Sequence, residues 1–287
     1  MRLSKLIFMG TPEIAVPSLE QIHHQFPDTE ITVFSNPDAP KGRGKKLSPS
    51  PVKTAALAKG LSVHTPQSKA EIQDLVEQIH PDLIIIIAYG KLIPAAVCNR
   101  YLCVNIHASL LPQYRGASPI QHSLLNRDPE TGITLIQINE AMDAGDILRM
   151  ARVPLTADTR FGELYESLGQ LGAQTCVEWI QEDYLSDSIT RTPQQHEQAT
   201  FCHKLSREDR LIDPAASADE SLGKIKAFSP KPAANWMRDD GQMIKIIDAR
   251  IEDGAIVPLT VQAPGKGPIP YKDYCLGNPP LSIGEKS

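Results

Sequence analysis

The chain has 287 residues, of which 41% are hydrophobic and 22% are charged, and its formal net charge is −5. A chain of this size can form two domains with a sizeable core, and the composition is that of an ordinary globular protein. The negative net charge excludes a general polyanion-binding protein, so any contact with nucleic acid has to come from a local cluster of basic residues.

The first half of the chain alternates short apolar segments with segments of helical character. Strands are predicted over residues 6–9, 31–34, 83–87 and 101–106, and a helix that begins with proline is predicted over residues 51–59. The third of these strands is rich in β-branched residues, which is typical of a strand buried in a parallel sheet. Alternating strands and helices predict an α/β domain with a mainly parallel sheet, whose ligands bind beyond the carboxyl ends of the strands.

The pattern changes in the second half of the chain. Apolar residues recur at helical spacing over residues 161–172 and predict an amphipathic helix that packs on the sheet. A polar stretch with Pro193 and several glutamines then predicts a linker. A helix over residues 218–228 and strands over 243–247 and 256–261 predict a smaller unit. We therefore predict a first domain over residues 1–189, a linker over 190–203 and a small C-terminal domain over 204–287.

Polar side chains follow two of the predicted strands. Asn105 and His107 lie at the end of the fourth strand and share a face, because they are two residues apart. Asp143 and Asp146 lie in the loop after a further strand, predicted over residues 133–138. An amide, an imidazole and a carboxylate at strand ends can stabilise or attack a carbonyl centre. Taken alone, Asn-x-His is more often a strand-end cap and a buried histidine, so its assignment as a site depends on the surrounding segments.

Several sequence features bear on cofactors and location. Gly10, Thr11 and Pro12 follow the first strand without forming a Gly-x-Gly-x-x-Gly fingerprint, which excludes a dinucleotide cofactor. We expect no metal, because no histidine or cysteine spacing is typical of a metal site. The five cysteines form no Cys-x-x-Cys pair, no apolar run approaches the roughly 20 residues of a membrane span, and the N-terminus lacks the apolar core of a signal peptide. We therefore expect reduced thiols, no membrane association and a cytoplasmic protein.

Segments along the chain resemble those of the folate-dependent formyltransferase family, most of all its members that act on methionyl-tRNA. In chain order they are IFMGTPEIAVPSLEQI, NPDAPKGRGKKLSPSPVKTAA, IIAYGKLIP, VNIHASLLPQYRGASPIQ, ETGITLIQINEAMDAGDIL and TRFGELYESLGQLGA. The likeness covers the first two hundred residues and continues more weakly through ATFCHKLSREDRLID and KAFSPKPAANW. Several spaced motifs in one order are far more specific than a lone Asn-x-His.

For the fold, the resemblance implies a Rossmann-like catalytic domain followed by a small, β-rich, OB-like C-terminal domain. In the family a longer run of strands precedes a Pro-Ala-Gly-Lys-like segment, whereas this chain reaches its counterpart, QAPGKGPIPYKDY, soon after residue 247. We therefore expect a shortened C-terminal domain with a reduced part in tRNA binding.

For the activity, the resemblance implies transfer of a formyl group from 10-formyltetrahydrofolate to the amino group of initiator methionyl-tRNA, in translation initiation, by a monomer. The catalytic trio would be Asn105, His107 and Asp143; within the motif DAGD, Asp143 rather than Asp146 aligns with the family's carboxylate. Asn105 would donate to the oxyanion. His107, oriented by Asp143, would donate to the same oxygen or protonate the leaving nitrogen.

The resemblance also assigns a folate site. The residues that match the family's folate-contacting segment are Ser109, Leu110, Leu111 and Pro112. Such a segment offers polar edges and apolar contact to a flat pterin, although the same residues taken alone fit a surface loop with buried leucines. Tyr89 and Gly90, at another strand end, are expected to line the same pocket. Arg115 is expected to pair with Asp143, Asp146 or a substrate phosphate.

A basic loop follows the second predicted strand. It contains Lys41, Arg43, Lys45 and Lys46 with no acidic residue between them. Cations without apolar anchors suit a phosphate backbone, and tRNA-specific members of the family carry a similar Gly-Arg-Gly-Lys-Lys loop. We therefore expect the basic loop to bind tRNA, although the residues alone also fit a solvated loop held by its prolines.

Three other functions stay open on the sequence. An N-formyltransferase acting on amino-sugar nucleotides would keep the trio but lack the basic loop. A formyltetrahydrofolate hydrolase would keep the folate site and use water as the acceptor. A module that binds RNA or folate without catalysis is disfavoured by the intact trio.

Overall fold

The structure is a computed structural model that describes residues 1–41, 46–281 and 283. By its internal contacts the chain divides into two compact units. Unit 1 comprises Met1–Arg115, Gly132–Arg152 and Glu166–Phe201, and unit 2 comprises Gly116–Thr131, Val153–Tyr165 and Cys202–Ser287. Each unit therefore takes segments from several parts of the chain, whereas the predicted domains are continuous. The predicted boundaries stay a proposal.

Before residue 160, the described part of the chain contains ten strands. In chain order they are β1 (Lys5–Gly10), β2 (Glu30–Phe34), β3 (Ala39–Lys41), β4 (Lys46–Ser48), β5 (Ser62–His64), β6 (Leu83–Ile87), β7 (Cys103–His107), β8 (Arg115–Gly116), β9 (Glu130–Gln137) and β10 (Ile147–Pro154). Seven of them form one sheet in the order β10-β9-β7-β6-β1-β2-β5. Strands β5, β2, β1, β6 and β7 run parallel, and β9 runs antiparallel to β7. The predicted mainly parallel sheet is confirmed.

Six α-helices accompany these strands among the described residues. They are α1 (Val16–Gln25), α2 (Pro51–Ala58), α3 (Lys69–Ile79), α4 (Ala95–Arg100), α5 (Pro119–Leu125) and α6 (Phe161–Trp179). Helix α2 begins where predicted, because Pro51 starts it and the Ser50 hydroxyl accepts from the backbone N of Lys53. Helix α6 lies close to the sheet at Gly172, where an added Cβ would lie 3.1 Å from Cγ2 of Ile106.

The interior of unit 1 explains where polar residues collect. Strand β6 is buried along its whole length, and its isoleucines pack with residues of β1, α3 and α4. Each fully buried side chain of this kind contributes about 1.5–3 kcal/mol. Because the central strands are parallel, their carboxyl ends meet at one edge of the sheet, and Thr11, Asn36, Tyr89 and His107 all lie there.

The remaining strands and α-helices belong to unit 2, except that β11 begins at Phe201, the last residue of unit 1. They are β11 (Phe201–Cys202), α7 (Ala218–Phe228), β12 (Ala234–Met237), β13 (Met243–Glu252), β14 (Ala255–Gln262), β15 (Ile269–Pro270) and α8 (Tyr271–Tyr274). Strands β12 to β15 form an antiparallel sheet in chain order, which confirms a small β-rich unit at the C-terminal end. Helix α7 has the predicted bounds and begins with a capping box between Ser217 and Glu220. That this unit is a shortened barrel stays a prediction.

Across the residues that the structure describes, no helix is both long enough and apolar enough to cross a membrane.

Candidate active site

Three polar side chains meet beyond the carboxyl end of β7. Nδ2 of Asn105 lies 3.4 Å from Oδ1 of Asp143, and Nδ1 of His107 lies 3.7 Å from the same oxygen. The His107 and Asp143 side chains are only 6% and 16% exposed. The structure thus brings together the three residues that the sequence predicts as catalytic, with two nitrogens directed at one carboxylate oxygen.

The second ring nitrogen of His107 fixes the tautomer. Nε2 lies 2.9 Å from the backbone O of Tyr114. A carbonyl oxygen only accepts, so this hydrogen bond assigns a proton to Nε2. The proton that His107 can gain or lose is therefore the one on Nδ1, the nitrogen that faces Asp143.

The loop between β9 and β10 carries Asp143 in a constrained backbone. Asp143 has a φ of +50°, a left-handed conformation that few residues other than glycine adopt. A Cβ on Gly145 would lie 1.7 Å from the backbone O of Gln137, so only glycine fits there. The backbone N of Gln137 also donates to the O of Asp146 at 2.9 Å. Asp146 thus braces the loop through its backbone carbonyl.

The predicted folate segment follows β7 and is tied to β9. The hydroxyl of Thr134 donates to the O of Ser109 at 2.7 Å and accepts from the N of Leu111 at 3.1 Å. Ser109 and Leu111 are buried, whereas Leu110 and Pro112 are half-buried. Leu110 and Pro112 therefore present a partly exposed apolar surface, and the hydrogen bonds to Thr134 hold the backbone of this segment.

The second predicted pair, Tyr89 and Gly90, follows β6. The Tyr89 side chain is 1% exposed and packs in the core, and its hydroxyl has no partner among the described residues. Burial raises the pKa of Tyr89 to about 12. Its backbone O, by contrast, accepts from the hydroxyl of Thr11 at 3.1 Å and from Nδ2 of Asn36 at 3.0 Å. Gly90 is exposed with a φ of +79°.

Thr11, Asn36 and Gln194 belong to this edge of unit 1 and are absent from the predicted site. Thr11 is the first residue after β1 and Asn36 the second after β2, so the rule that ligands bind at strand ends was sufficient to find them. Gln194 lies in the predicted linker, and nothing in the sequence marks it. Its amide contacts the loop of Asp143 and the guanidinium of Arg115, so Arg115 meets an amide in place of the expected carboxylates.

The basic loop is described only at its two ends. Lys41 and Lys46 are exposed, and Nζ of Lys41 lies 3.7 Å from Oε1 of Glu13. An exposed pair of this length contributes little to stability. Arg43 and Lys45, which are also predicted to contact tRNA, lie outside the described residues.

The arrangement offers polar and charged groups for acyl chemistry. Within the described ranges, no group of three or more histidine, cysteine, aspartate or glutamate side chains is placed to hold a metal ion. What the edge provides is an amide donor, an imidazole with one available nitrogen and a carboxylate, beside apolar surface.

Comparison with known proteins identifies the family. Residues 4–180 match the family described as Formyl transferase. A methionyl-tRNA formyltransferase of Kosmotoga olearia is 39% identical over 257 residues, which are 88% of this chain and 82% of that protein. A 4-N formyltransferase from Francisella tularensis has a similar structure, with a TM-score of 0.67 at 19% identity, covering 84% of this chain and 95% of that one. HypX from Aquifex aeolicus, in complex with tetrahydrofolic acid, has a TM-score of 0.65 at 17% identity, covering 96% of this chain and 47% of that one. The family match covers most of unit 1 and the Kosmotoga relative most of the chain, so this chain belongs to the formyl transferase family.

Proposed function

We propose that the protein transfers a formyl group from 10-formyltetrahydrofolate to the amino group of initiator methionyl-tRNA. The observation that carries this proposal is the convergence of Asn105, His107 and Asp143 beyond β7, at the edge where parallel sheets bind ligands. Such transfer serves translation initiation, and we propose that the protein acts in the cytoplasm as a monomer.

The chemistry follows from the three groups. An amine that attacks a formyl carbon creates negative charge on the formyl oxygen and has to lose a proton. Asn105 supplies an N–H donor for that oxygen, because among the described residues its Nδ2 makes one long contact, of 3.4 Å to Asp143. Asp143 supplies a carboxylate for the proton of the amine. His107 supplies Nδ1, which can carry a proton to the leaving nitrogen, while its Nε2–H stays on Tyr114.

The segment after β7 fits a folate donor. Its half-buried Leu110 and Pro112 offer apolar contact to a flat ring system, directly after the strand that carries Asn105 and His107. The Thr134 hydroxyl forms hydrogen bonds with the backbone O of Ser109 and the backbone N of Leu111, which hold the segment in place. Ser109, Leu110, Leu111 and Pro112 would form the folate contact. From β6, Gly90 would contribute directly, whereas Tyr89 would contribute through its backbone only.

The acceptor is the part of the proposal that the fold leaves open. A 4-N formyltransferase shares the fold, so the fold alone is compatible with more than one amine. Methionyl-tRNA is favoured by the 39% identical relative of that name and by the basic loop, where Lys41, Arg43, Lys45 and Lys46 provide four cations in six positions.

The test is an assay of the purified protein with 10-formyltetrahydrofolate and one of three acceptors. Charged initiator tRNA, amino-sugar nucleotides and water are offered in parallel, and formyl-amine formation and free formate are measured. We expect formyl-methionyl-tRNA as the main product. Preferential formylation of a sugar nucleotide would transfer the proposal to that substrate class, and formate as the main product would identify a hydrolase.

A further inference from the structure

One buried glutamine interrupts an exposed stretch of unit 1. Gln194 is 5% exposed, whereas its neighbours Gln195 and His196 are exposed. The stretch is fixed to β10, because Thr192 and Ile147 exchange two backbone hydrogen bonds of 2.8 and 2.9 Å. Long polar side chains are rarely buried unless their hydrogen-bonding groups are satisfied. The partners of Gln194 therefore indicate what it does.

The amide of Gln194 uses its complete hydrogen-bonding capacity. Nε2 donates to the backbone O of Asp143 at 2.9 Å and to that of Gly145 at 2.7 Å. Oε1 accepts from Nε of Arg115 at 3.1 Å and from Nη2 of Arg115 at 2.6 Å. A primary amide has two donor hydrogens and two acceptor lone pairs, so all four are used. One side chain thus joins the loop of Asp143 to Arg115.

These contacts connect the two groups that hold His107. Arg115 directly follows Tyr114, whose carbonyl accepts from Nε2, and Asp143 faces Nδ1. Tyr114 and Asp143 have φ values of +59° and +50°. Non-glycine residues keep such strained conformations only where the surrounding structure holds them. The link from Arg115 through Gln194 to Asp143 closes a ring of contacts around the imidazole.

We propose that Gln194, held by Arg115, is a positioning residue for formyl transfer. It acts through the backbone of Asp143 and sets the distance between that carboxylate and His107. Active-site groups have to be held to within about 0.5 Å of their working positions, and a displacement of about 1 Å can lower the rate by about 10²-fold.

The test compares Gln194→Glu with Gln195→Glu. Glutamate at position 194 keeps the shape and the oxygen that accepts both hydrogen bonds from Arg115, but it removes both donors and brings a carboxylate oxygen against two carbonyl oxygens. Gln195→Glu makes the same charge change one residue away on an exposed side chain. Gln194→Ala is the second variant, since it removes the donors without adding charge.

The expected result separates turnover from binding. Both Gln194 variants should lower kcat by about 10- to 100-fold while the KM values for donor and acceptor change less than threefold. The ¹⁵N signals of His107, assigned by comparison with His107→Asn, should shift in both variants because the ring loses its fixed setting. Gln195→Glu should match the wild type in every measurement.

Two results would overturn the proposal. One is a wild-type kcat in folded Gln194 variants. The other is a loss of activity that occurs only where circular dichroism shows a loss of folding, since this would make the residue structural. The assay rests on the proposed function for its acceptor. A wild-type protein that fails to formylate methionyl-tRNA contradicts that function, whereas the comparison of variants can then use whichever acceptor the wild type does formylate.

Discussion

The two ring nitrogens of His107 each face a different neighbouring residue. Its Nε2 donates to the carbonyl of Tyr114, and its Nδ1 faces Asp143. A carbonyl cannot donate, so the ring has one orientation with a single working nitrogen. The side chain is nearly buried, which excludes water as a competing partner for most of the ring. At this site, the identity of two neighbours decides which nitrogen can move a proton.

Replacing the donors should remove activity rather than the fold. We expect Asn105→Ala and His107→Ala to lower turnover by about 10²-fold or more, which is the usual effect of losing a donor to developing negative charge. His24→Ala, on the exposed side of α1, is the matched control and should keep wild-type activity. Folded variants that work within a few-fold of the wild type would remove these residues from the mechanism.

Tyr89 shows how a residue can belong to a site by its backbone alone. Its hydroxyl is buried without a described partner, whereas its carbonyl accepts from Thr11 and Asn36. We expect Tyr89→Phe to keep activity and to raise the free energy of unfolding by up to about 1 kcal/mol, because an unsatisfied polar group is removed. Tyr184→Phe is the control: the Tyr184 hydroxyl donates to the O of Asp82 at 3.2 Å, so its loss should destabilise the protein.

The same variant has a signature at high pH. The pKa of Tyr89 is raised to about 12 by burial, above the ordinary value of about 10. The unfolded chain therefore loses the phenolic proton first, and the wild type loses stability relative to Tyr89→Phe as the pH rises from about 10 towards 12. Urea denaturation midpoints at pH 8 and pH 10.5 measure this difference. A Tyr89→Phe protein with reduced kcat would instead place the hydroxyl in the site.

At the scale of elements, the loop between β9 and β10 is shaped by one close approach. A Cβ at Gly145 would overlap the carbonyl of Gln137 at 1.7 Å. We expect Gly145→Ala to displace the loop, to lower kcat through Asp143 and to destabilise the protein by about 1–3 kcal/mol. Gly277→Ala, where nothing lies within 4 Å of the added Cβ, should change neither quantity. Normal turnover by Gly145→Ala would mean that the loop does not need this geometry.

The sequence predicts those elements whose signals are local. Helix α7 has the predicted bounds because its capping box and its apolar spacing both lie between Ser217 and Phe228. Strand β7 begins at Cys103 rather than at the predicted residue 101. The backbone N of Tyr101 donates to the O of Val97, so Tyr101 is the C-terminal cap of α4 and is not part of the strand. A tyrosine favours strands by propensity, and the neighbouring helix overrides that preference here.

The residues of the site also differ in whether the sequence carries a signal that predicts them. Asn105 and His107 lie in the carboxyl-terminal part of β7 and Asp143 lies in the loop after β9, so topology and motif together predict their meeting. The role proposed for Gln194 depends on hydrogen bonds with Asp143 and Arg115, which are 51 and 79 positions away in the sequence. A polar stretch of sequence carries no pattern that predicts such pairs. Burial of a single polar side chain can be recognised only once the chain is folded.

At the scale of the whole molecule, the C-terminal third of the chain packs with earlier segments that belong to the same unit. Within unit 2, helix α5 packs against α7, where a Cβ on Gly223 would lie 3.4 Å from the O of Leu125. Nη1 of Arg127 lies 2.9 Å from Asp219, and Nη2 of Arg160 lies 2.9 Å from Asp248. Ending the chain near residue 204 would remove the partners of all these groups. Truncation therefore cannot separate a tRNA-binding role from a stabilising one, and substitutions have to be used.

The distribution of charge over the whole chain leads to the final prediction. The formal net charge is −5, yet Lys41, Arg43, Lys45 and Lys46 lie within six successive positions. Because the net negative charge of the chain repels a polyanion, these cations should provide much of the attraction for it. Each lost phosphate contact should weaken binding and reduce its salt dependence. We expect Arg43→Ala combined with Lys45→Ala to raise the KM for charged tRNA and to reduce the slope of log KM against log salt. Arg2→Ala combined with Lys69→Ala removes the same two charges from exposed positions elsewhere and should leave the slope unchanged. Equal behaviour of the two double variants at physiological salt would assign the tRNA contact to another surface and would bring the amino-sugar nucleotide forward as the acceptor.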